Sequence, residues 1–372
     1  MLMQVKRCRW LGSVLAAGVL MVATSAPRVA KAVYGLDEGP ITLQSAGPLT
    51  FAGSDVVIVG DPQAAKIYAI QVGDQGSQDS KTPEIANLQQ ALAGLLSTQP
   101  DAIEVGDLAV NPETGNAFLT VAAGKEIALV RVQRDGSLDR VSLDKIPHAV
   151  MSLPNPPADQ VTGEGRRRRN PRRESITDVA FFDGKVIVSG LSAGPSPSSV
   201  LEVPFPFAEN SVATSVEIFH AAHGRVEDAA IRTFVPMNVG GEPSLLAGFT
   251  CTPLVMFPVD QLHGGAKVRG KTVAELGNRN RPLDMFVYEQ EGKDYLLLSN
   301  SVRGVMKIAT DDVETRPGLS ERVPGGGTAG LPFEQVESLA GVVQMDKFDA
   351  AHVMVIQTQD DGALTLSVVD LP

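Results

Sequence analysis

Two histidines three residues apart, with a glutamate four further on, form the strongest local motif in the chain: His220-x-x-His223 and Glu227. Imidazole and carboxylate groups at this spacing can ligate zinc, copper or iron. The pattern is not HExxH and no helix is expected beneath it, so a metalloprotease mechanism does not follow. The alternative is that the histidines cap loop carbonyls or pack between repeats. Cys251 is a further candidate ligand, although its place between apolar strands reads more simply as a small buried hydrophobe. Asp107, Asp178 and Asp284 recur at one position of a repeat, where adjacent carboxylates could bind calcium or act as general bases. The structural alternative is that each accepts backbone N–H bonds from the preceding turn and locks neighbouring repeats together. The stretch Asn278-Arg279-Asn280-Arg281, with Asn300 and Arg303, offers donors suited to a carboxylate or phosphate, or else forms a solvated loop.

These residues hang on a strand pattern that recurs six times. Inner strands start near Pro48, Asp107, Asp178, Ile231, Asp284 and Gly341. Each is followed by a middle strand, such as Gly184–Gly190 (GKVIVSG) or Asp294–Asn300 (DYLLLSN), and then by a third. Asp183-Gly184, Gly240-Gly241 and Glu291-Gly292 supply tight turns between the first two strands of a copy. Repeats of this length, built only of strands and turns, predict an all-β fold, a β-propeller of six blades. Seven blades is the alternative if residues 82–103 hide a degenerate copy. Ile41–Ser45 (ITLQS) is expected to complete the last blade, so that an N-terminal strand closes the ring.

Two copies carry insertions. Within residues 82–103, the apolar residues of EIANLQQALAGLL have helical spacing and predict a short amphipathic helix on the rim. Residues 154–173 are rich in Pro and Gly and end in an arginine run, which reads as a mobile, solvated loop more than an anion dock. In a propeller, two sets of loops share one face. One includes residues 172–177, 219–228 and 277–283, and the other residues 248–253 and 299–304. The candidate residues His220, His223, Glu227, Cys251, Asn280, Arg281, Asn300 and Arg303 are therefore expected around one funnel, with Asp178 and Asp284 at its wall.

The first 32 residues read as a signal peptide. Lys6, Arg7 and Arg9 precede an apolar run from Leu11 to Val22, and Ala30-Lys31-Ala32 offers a cleavage site. Residues 33–372 form one expected domain, secreted or periplasmic. The formal charge of −11 falls to −16 without the five cations of that leader. Such a charge disfavours nucleic acid and favours solubility. Only Cys251 would remain, so no intramolecular disulfide is possible. The single tryptophan, Trp10, lies in the leader, so the tryptophan-based motifs of WD40, sialidase and quinoprotein (PQQ) propellers cannot occur. No CxxCH haem site, G-x-S-x-G, Walker loop or dinucleotide fingerprint is present. The expected partner is a small molecule or an envelope protein, with no membrane span after cleavage and a monomer as the expected state.

Glu174–Asp183 (ESITDVAFFD), Ser215–Phe234 (SVEIFHAAHGRVEDAAIRTF), Phe249–Val255 (FTCTPLV) and Thr272–Ile308 together resemble a family of uncharacterised secreted bacterial proteins with a propeller-like layout. The blade layout also resembles NHL and lactonase-type propellers. The resemblance implies a fold and a secreted setting, and no activity. Two function classes follow from the residues: a ligand- or partner-binding module at the funnel, and a metal-dependent hydrolase of lactonase or phosphoesterase type. In the second, Glu227 or an inner-strand Asp would act as base beside a divalent metal.

Overall fold

The computed structural model describes residues 34–76, 81–165, 168–208, 211–251 and 253–372. The expected leader lies outside these residues. Among them, no helix is long and apolar enough to cross a membrane.

Six sheets radiate around a central channel, antiparallel except for one short parallel pairing of Val268–Arg269 with Ala213–His220. We number the blades by the chain order of their inner strands. Blade 1 has Leu49–Phe51, Val56–Asp61 and Lys66–Gln71; blade 2 has Ile103–Val110, Ala117–Ala123, Glu126–Val132 and Leu138–Arg140. Blades 3, 4, 5 and 6 start at Asp178, Ile231, Pro282 and Val342. The middle strands, among them Val56–Asp61 and Lys185–Leu191, are buried nearly throughout, because each blade is packed on both faces by its neighbours. Their Val, Ile and Leu side chains fill six cores, each shared by two adjacent blades. The expected tight turns are present. Asp183 and Gly184, Gly240 and Gly241, and Glu291 and Gly292 all have positive φ, the geometry that suits a two-residue hairpin.

Six blades agree with the strand pattern, and residues 82–103 hold no seventh. The closure of the ring differs from the expectation. Around the channel the blades run 1, 3, 4, 5, 6, 2, so blade 2 is out of chain order. The chain leaves blade 1 after its third strand, builds blade 2 on the far side, and returns as Ile146–Ser152 to complete blade 1. The ring therefore closes between blades 2 and 6.

Ile41–Ser45 is not the closing strand. Ile41 donates its N–H to Leu143, and Gln44 and Ser45 bind the Asp61 carboxylate. The N-terminal strand that does form, Asp37–Gly39, pairs with Ile146–Ser152 at the outside of blade 1. The open edge of blade 6 is met instead by Ile85, which exchanges two backbone hydrogen bonds with Leu366. Beside it, the Gln89 side chain accepts from the Leu364 N–H. Gln89 lies in the first turn of the helix α1, Leu88–Leu96, capped by the Asn87 side chain. Leu88, Leu92, Ala93 and Leu96 are buried in the core shared by blades 2 and 6. The helix thus seals the closing seam rather than lying on the rim.

Candidate functional site

The inner strands carry a ring of carboxylates. Asp107, Asp178 and Asp284 each accept the N–H of the next residue on one oxygen. The other oxygen accepts an N–H from the neighbouring blade: Leu49 at 2.8 Å, Phe234 at 2.8 Å and Met345 at 2.7 Å, respectively. Asp346 does the same for Lys347 and for Val110 of blade 2. Four of the six junctions are clamped this way, all in one rotational sense. On the facing middle strands, Thr120, Ser189 and Ser299 stand opposite the three repeat aspartates. The locking role expected for these aspartates is therefore present, but the N–H groups come from the following residue and from the next blade rather than from the preceding turn. Asp346 escaped the pattern because Gln344 holds the repeat position in its strand, directly after the same bulge that precedes Asp107 and Asp284, and Asp346 stands two residues further on.

These carboxylates are part-exposed to the channel yet enclosed by the blades, and they oppose one another. Burial pushes Asp178 and Asp346 up to about 6. Burial, then the Asp178 carboxylate, holds Asp107 well above the usual range; burial, then Asp107, does so for Asp284. Asp107, Asp178 and Asp284 separate two chambers of the channel. The lower one, about 300 Å³, is lined also by Asp346 and by apolar side chains.

The upper chamber is the funnel, a cavity of about 520 Å³. Its wall carries Arg173, Arg232 and Arg281, with Glu174, Thr177 and Gln344. Arg232 has only 14% of its side chain exposed and donates from its Nη1 to Glu174 at 2.9 Å. Its Nε is buried with no hydrogen-bond partner. Burial, then the Arg281 guanidinium, pulls Arg232 below its ordinary range. Gln344 donates its amide to Gly106, and its carbonyl oxygen is likewise buried and unpartnered.

Arg173 ends the insertion read as a solvated loop and Glu174 follows it; residues 158–165 are exposed, while the end of the insertion is fastened. Arg172 donates to the carbonyls of Pro157 and Gln63, and Asn170 and Gln63 both donate to Asp159. Arg169 pairs with Glu174. These bonds fasten the end of the insertion over the funnel mouth. Arg166 and Arg167 lie outside the described residues.

The other candidates separate into groups. Arg281, Asp178 and Asp284 line the funnel as expected. Asn280 and Asn300 are buried beside it, and Asn280 accepts the Val302 N–H. Arg303 packs over Gly277, where a Cβ would lie 2.5 Å from its guanidinium carbon. None of these last three residues lines the cavity. His220 and His223 do come together, with ring centroids 4.7 Å apart, at the hairpin between Ala213–His220 and Gly224–Val226. His220 Nδ1 accepts the Ala222 N–H and lies 3.5 Å from Glu275. Burial and His223 pull His220 down, while burial pushes Glu275 up to about 7. Glu227 turns away to pair with Lys267, which holds it below the usual carboxylate range. Cys251 is half-buried in a turn with φ of 64°, its N–H on the Asn280 carbonyl, rather than packed between strands. Among the described residues, no group of three or more His, Cys, Asp or Glu side chains is placed to hold a metal.

Sequence reasoning missed Arg232, Gln344 and Glu275. Arg232 sits in the inner strand IRTF just before Thr233, the residue that holds the register position of Asp178 and Asp284, so its place on an inner strand was legible. Its chemistry was not, because the partner Glu174 comes from another blade.

No protein-family model matches the chain, and no curated protein matches it. Solved structures that resemble it include extracellular domains 1–2 of Drosophila Semaphorin 1b, at 10% identity over 91% of this chain and 88% of that one, with a TM-score of 0.40. A putative 6-phosphogluconolactonase from Bacteroides uniformis is 10% identical over 91% of this chain and 79% of that one, at 0.34. The PQQ-bound aldose sugar dehydrogenase of Streptomyces coelicolor is 9% identical over 89% and 96%, at 0.33. At these identities and scores nothing about binding or catalysis passes to this chain.

Proposed function

We propose that this chain is a secreted or periplasmic binding module whose central funnel takes a small ligand bearing an anionic group, and that it belongs with the secreted bacterial propellers its motifs resemble. The observation that carries the reading is Arg232, a buried guanidinium with an unpartnered Nε on the wall of a 520 Å³ cavity. A buried donor without a partner is costly unless a ligand or water meets it. Arg281 and Arg173 add positive charge at the same mouth, on a chain whose formal charge is −11. Guanidinium groups suit carboxylates, phosphates and sulfates, and a cavity of this size suits a small molecule.

The hydrolase reading needs a metal set, and Glu227 is engaged by Lys267 instead. The test is a thermal-shift and calorimetric panel of small carboxylates, phosphate and sulfate on the wild type and on Arg232→Gln/Arg281→Gln. Saturable binding that weakens at least about tenfold in the variant supports the funnel. Equal binding by both proteins would move the site elsewhere.

A further inference from the structure

The funnel is electrically two-sided. Arg232 and Arg281 are on its wall, and Asp107, Asp178 and Asp284 line the same cavity where it meets the lower chamber. A plain anion would satisfy the arginines but would also meet three carboxylates. A plain cation would meet the carboxylates under two guanidinium groups. Each aspartate already accepts two backbone N–H groups, and Asp178 the Thr233 hydroxyl as well; a carboxylate has about four acceptor sites, so about two stay open on Asp107 and on Asp284 and about one on Asp178. Gln344, on the same wall, adds a buried carbonyl oxygen with no donor. What is missing there is a compact donor of several hydrogen bonds that carries positive charge. An ammonium has three donors and no acceptor.

We infer that the funnel recognises a small zwitterion, with its carboxylate on Arg232 and Arg281 and its ammonium at the carboxylate ring of Asp107, Asp178 and Asp284, bonded to some of these groups and not to all three at once, beside the Gln344 oxygen. This rests on the funnel being the binding site and specifies the class of ligand it takes. The raised proton affinity of the three aspartates has the same origin. They repel one another in a partly desolvated ring, and a bound ammonium would offset that repulsion. A chelated metal is the weaker candidate, since no three carboxylates among the described residues are placed to share one.

The experiment uses a ladder of ω-amino acids from glycine to 6-aminohexanoate. Each is matched to the carboxylate and the amine of the same chain length. Binding is measured by calorimetry and ligand-observed NMR at pH 7.5 on the wild type, Arg281→Gln and Gln344→Met. Expected is one length of zwitterion that binds at least about tenfold tighter than both of its matched single-charge analogues. Arg281→Gln should weaken that zwitterion more than the matched amine, and Gln344→Met should weaken it more than the matched carboxylate. If carboxylates bind as tightly as the zwitterions, the ammonium subsite is wrong while the anion-binding funnel stands. If no probe of any class binds, both readings fall.

Discussion

Each aspartate clamp holds a backbone N–H of the next blade, and that donor has no replacement partner if the carboxylate goes. Asp178→Ala leaves the Phe234 N–H unpaired inside the ring. It should lower stability by about 1–3 kcal/mol in urea unfolding at pH 7. The same groups set a pH dependence. Asp178 and Asp346 sit at about 6 in the folded chain, above an ordinary aspartate, so the fold binds protons that the unfolded chain releases. Their contribution is complete below about pH 4 and is lost as pH rises through about 6. The Asp346 charge also raises Asp107 and Asp284, so its removal eases both, and the difference between proteins reports this carboxylate together with its coupling to those two. Relative to the wild type, Asp346→Asn should therefore gain in thermal midpoint as pH rises from 4 to 7. A constant difference across that range would contradict it. Glu275, pushed up to about 7 beside His220 and His223, works in the same direction. Glu275→Gln should be more favourable at pH 8 than at pH 5, read as the change in unfolding free energy against the wild type at each pH. At this scale three of the four clamps were visible in the sequence, since Asp107, Asp178 and Asp284 repeat with the strands. The funnel chemistry was mostly not, because its charges come from different blades and one insertion, and spacing along the chain does not report which of them face one another.

At the level of elements, the strands and their tight turns follow from local pattern, and nearly every inner, middle and third strand lies where apolar alternation and Asp-Gly or Gly-Gly turns place it. The helix was also legible from the spacing of its leucines, but its task was not. An amphipathic face tells that something will be covered without telling what. Here Leu88 and Leu92 are fully buried between blade 2 and blade 6, a contact joining residues more than two hundred positions apart. Leu92→Ala should cost about 2–5 kcal/mol, as a large-to-small change in a packed core does. Its effect should also be local to the seam. Hydrogen exchange should quicken first in Ile103–Val110 and Leu364–Asp370, which flank the helix, and stay slow in Lys185–Leu191 on the far side of the ring. Uniform acceleration would mean that the helix is not a closing element but one more part of a single cooperative core.

For the whole molecule, two ways of closing a propeller give opposite sensitivities. If an N-terminal strand completed the last blade, removing the start of the chain would open the ring. In the topology observed, Asp37–Gly39 forms an outermost strand of blade 1, and Leu36 is buried against blades 1 and 3. The closing contacts come from Ile85, Gln89 and the helix, all in the middle of the chain, and from Leu364 and Leu366 near its end. Closure thus waits for the last blade to meet one made much earlier, a pairing of high sequence separation that is slow to form. A chain beginning at Pro40 should remain a folded ring with a lowered thermal midpoint. Replacing Glu84–Ser97 by a flexible glycine-serine linker of equal length should be far more damaging. It leaves the blade 6 edge unpaired and uncovers the apolar seam, the combination that drives edge-to-edge association. Size-exclusion chromatography and thermal unfolding of the two variants side by side decide it: aggregation confined to the linker variant supports closure through blade 2, and a Pro40 chain that alone fails to fold would restore closure by the N-terminus.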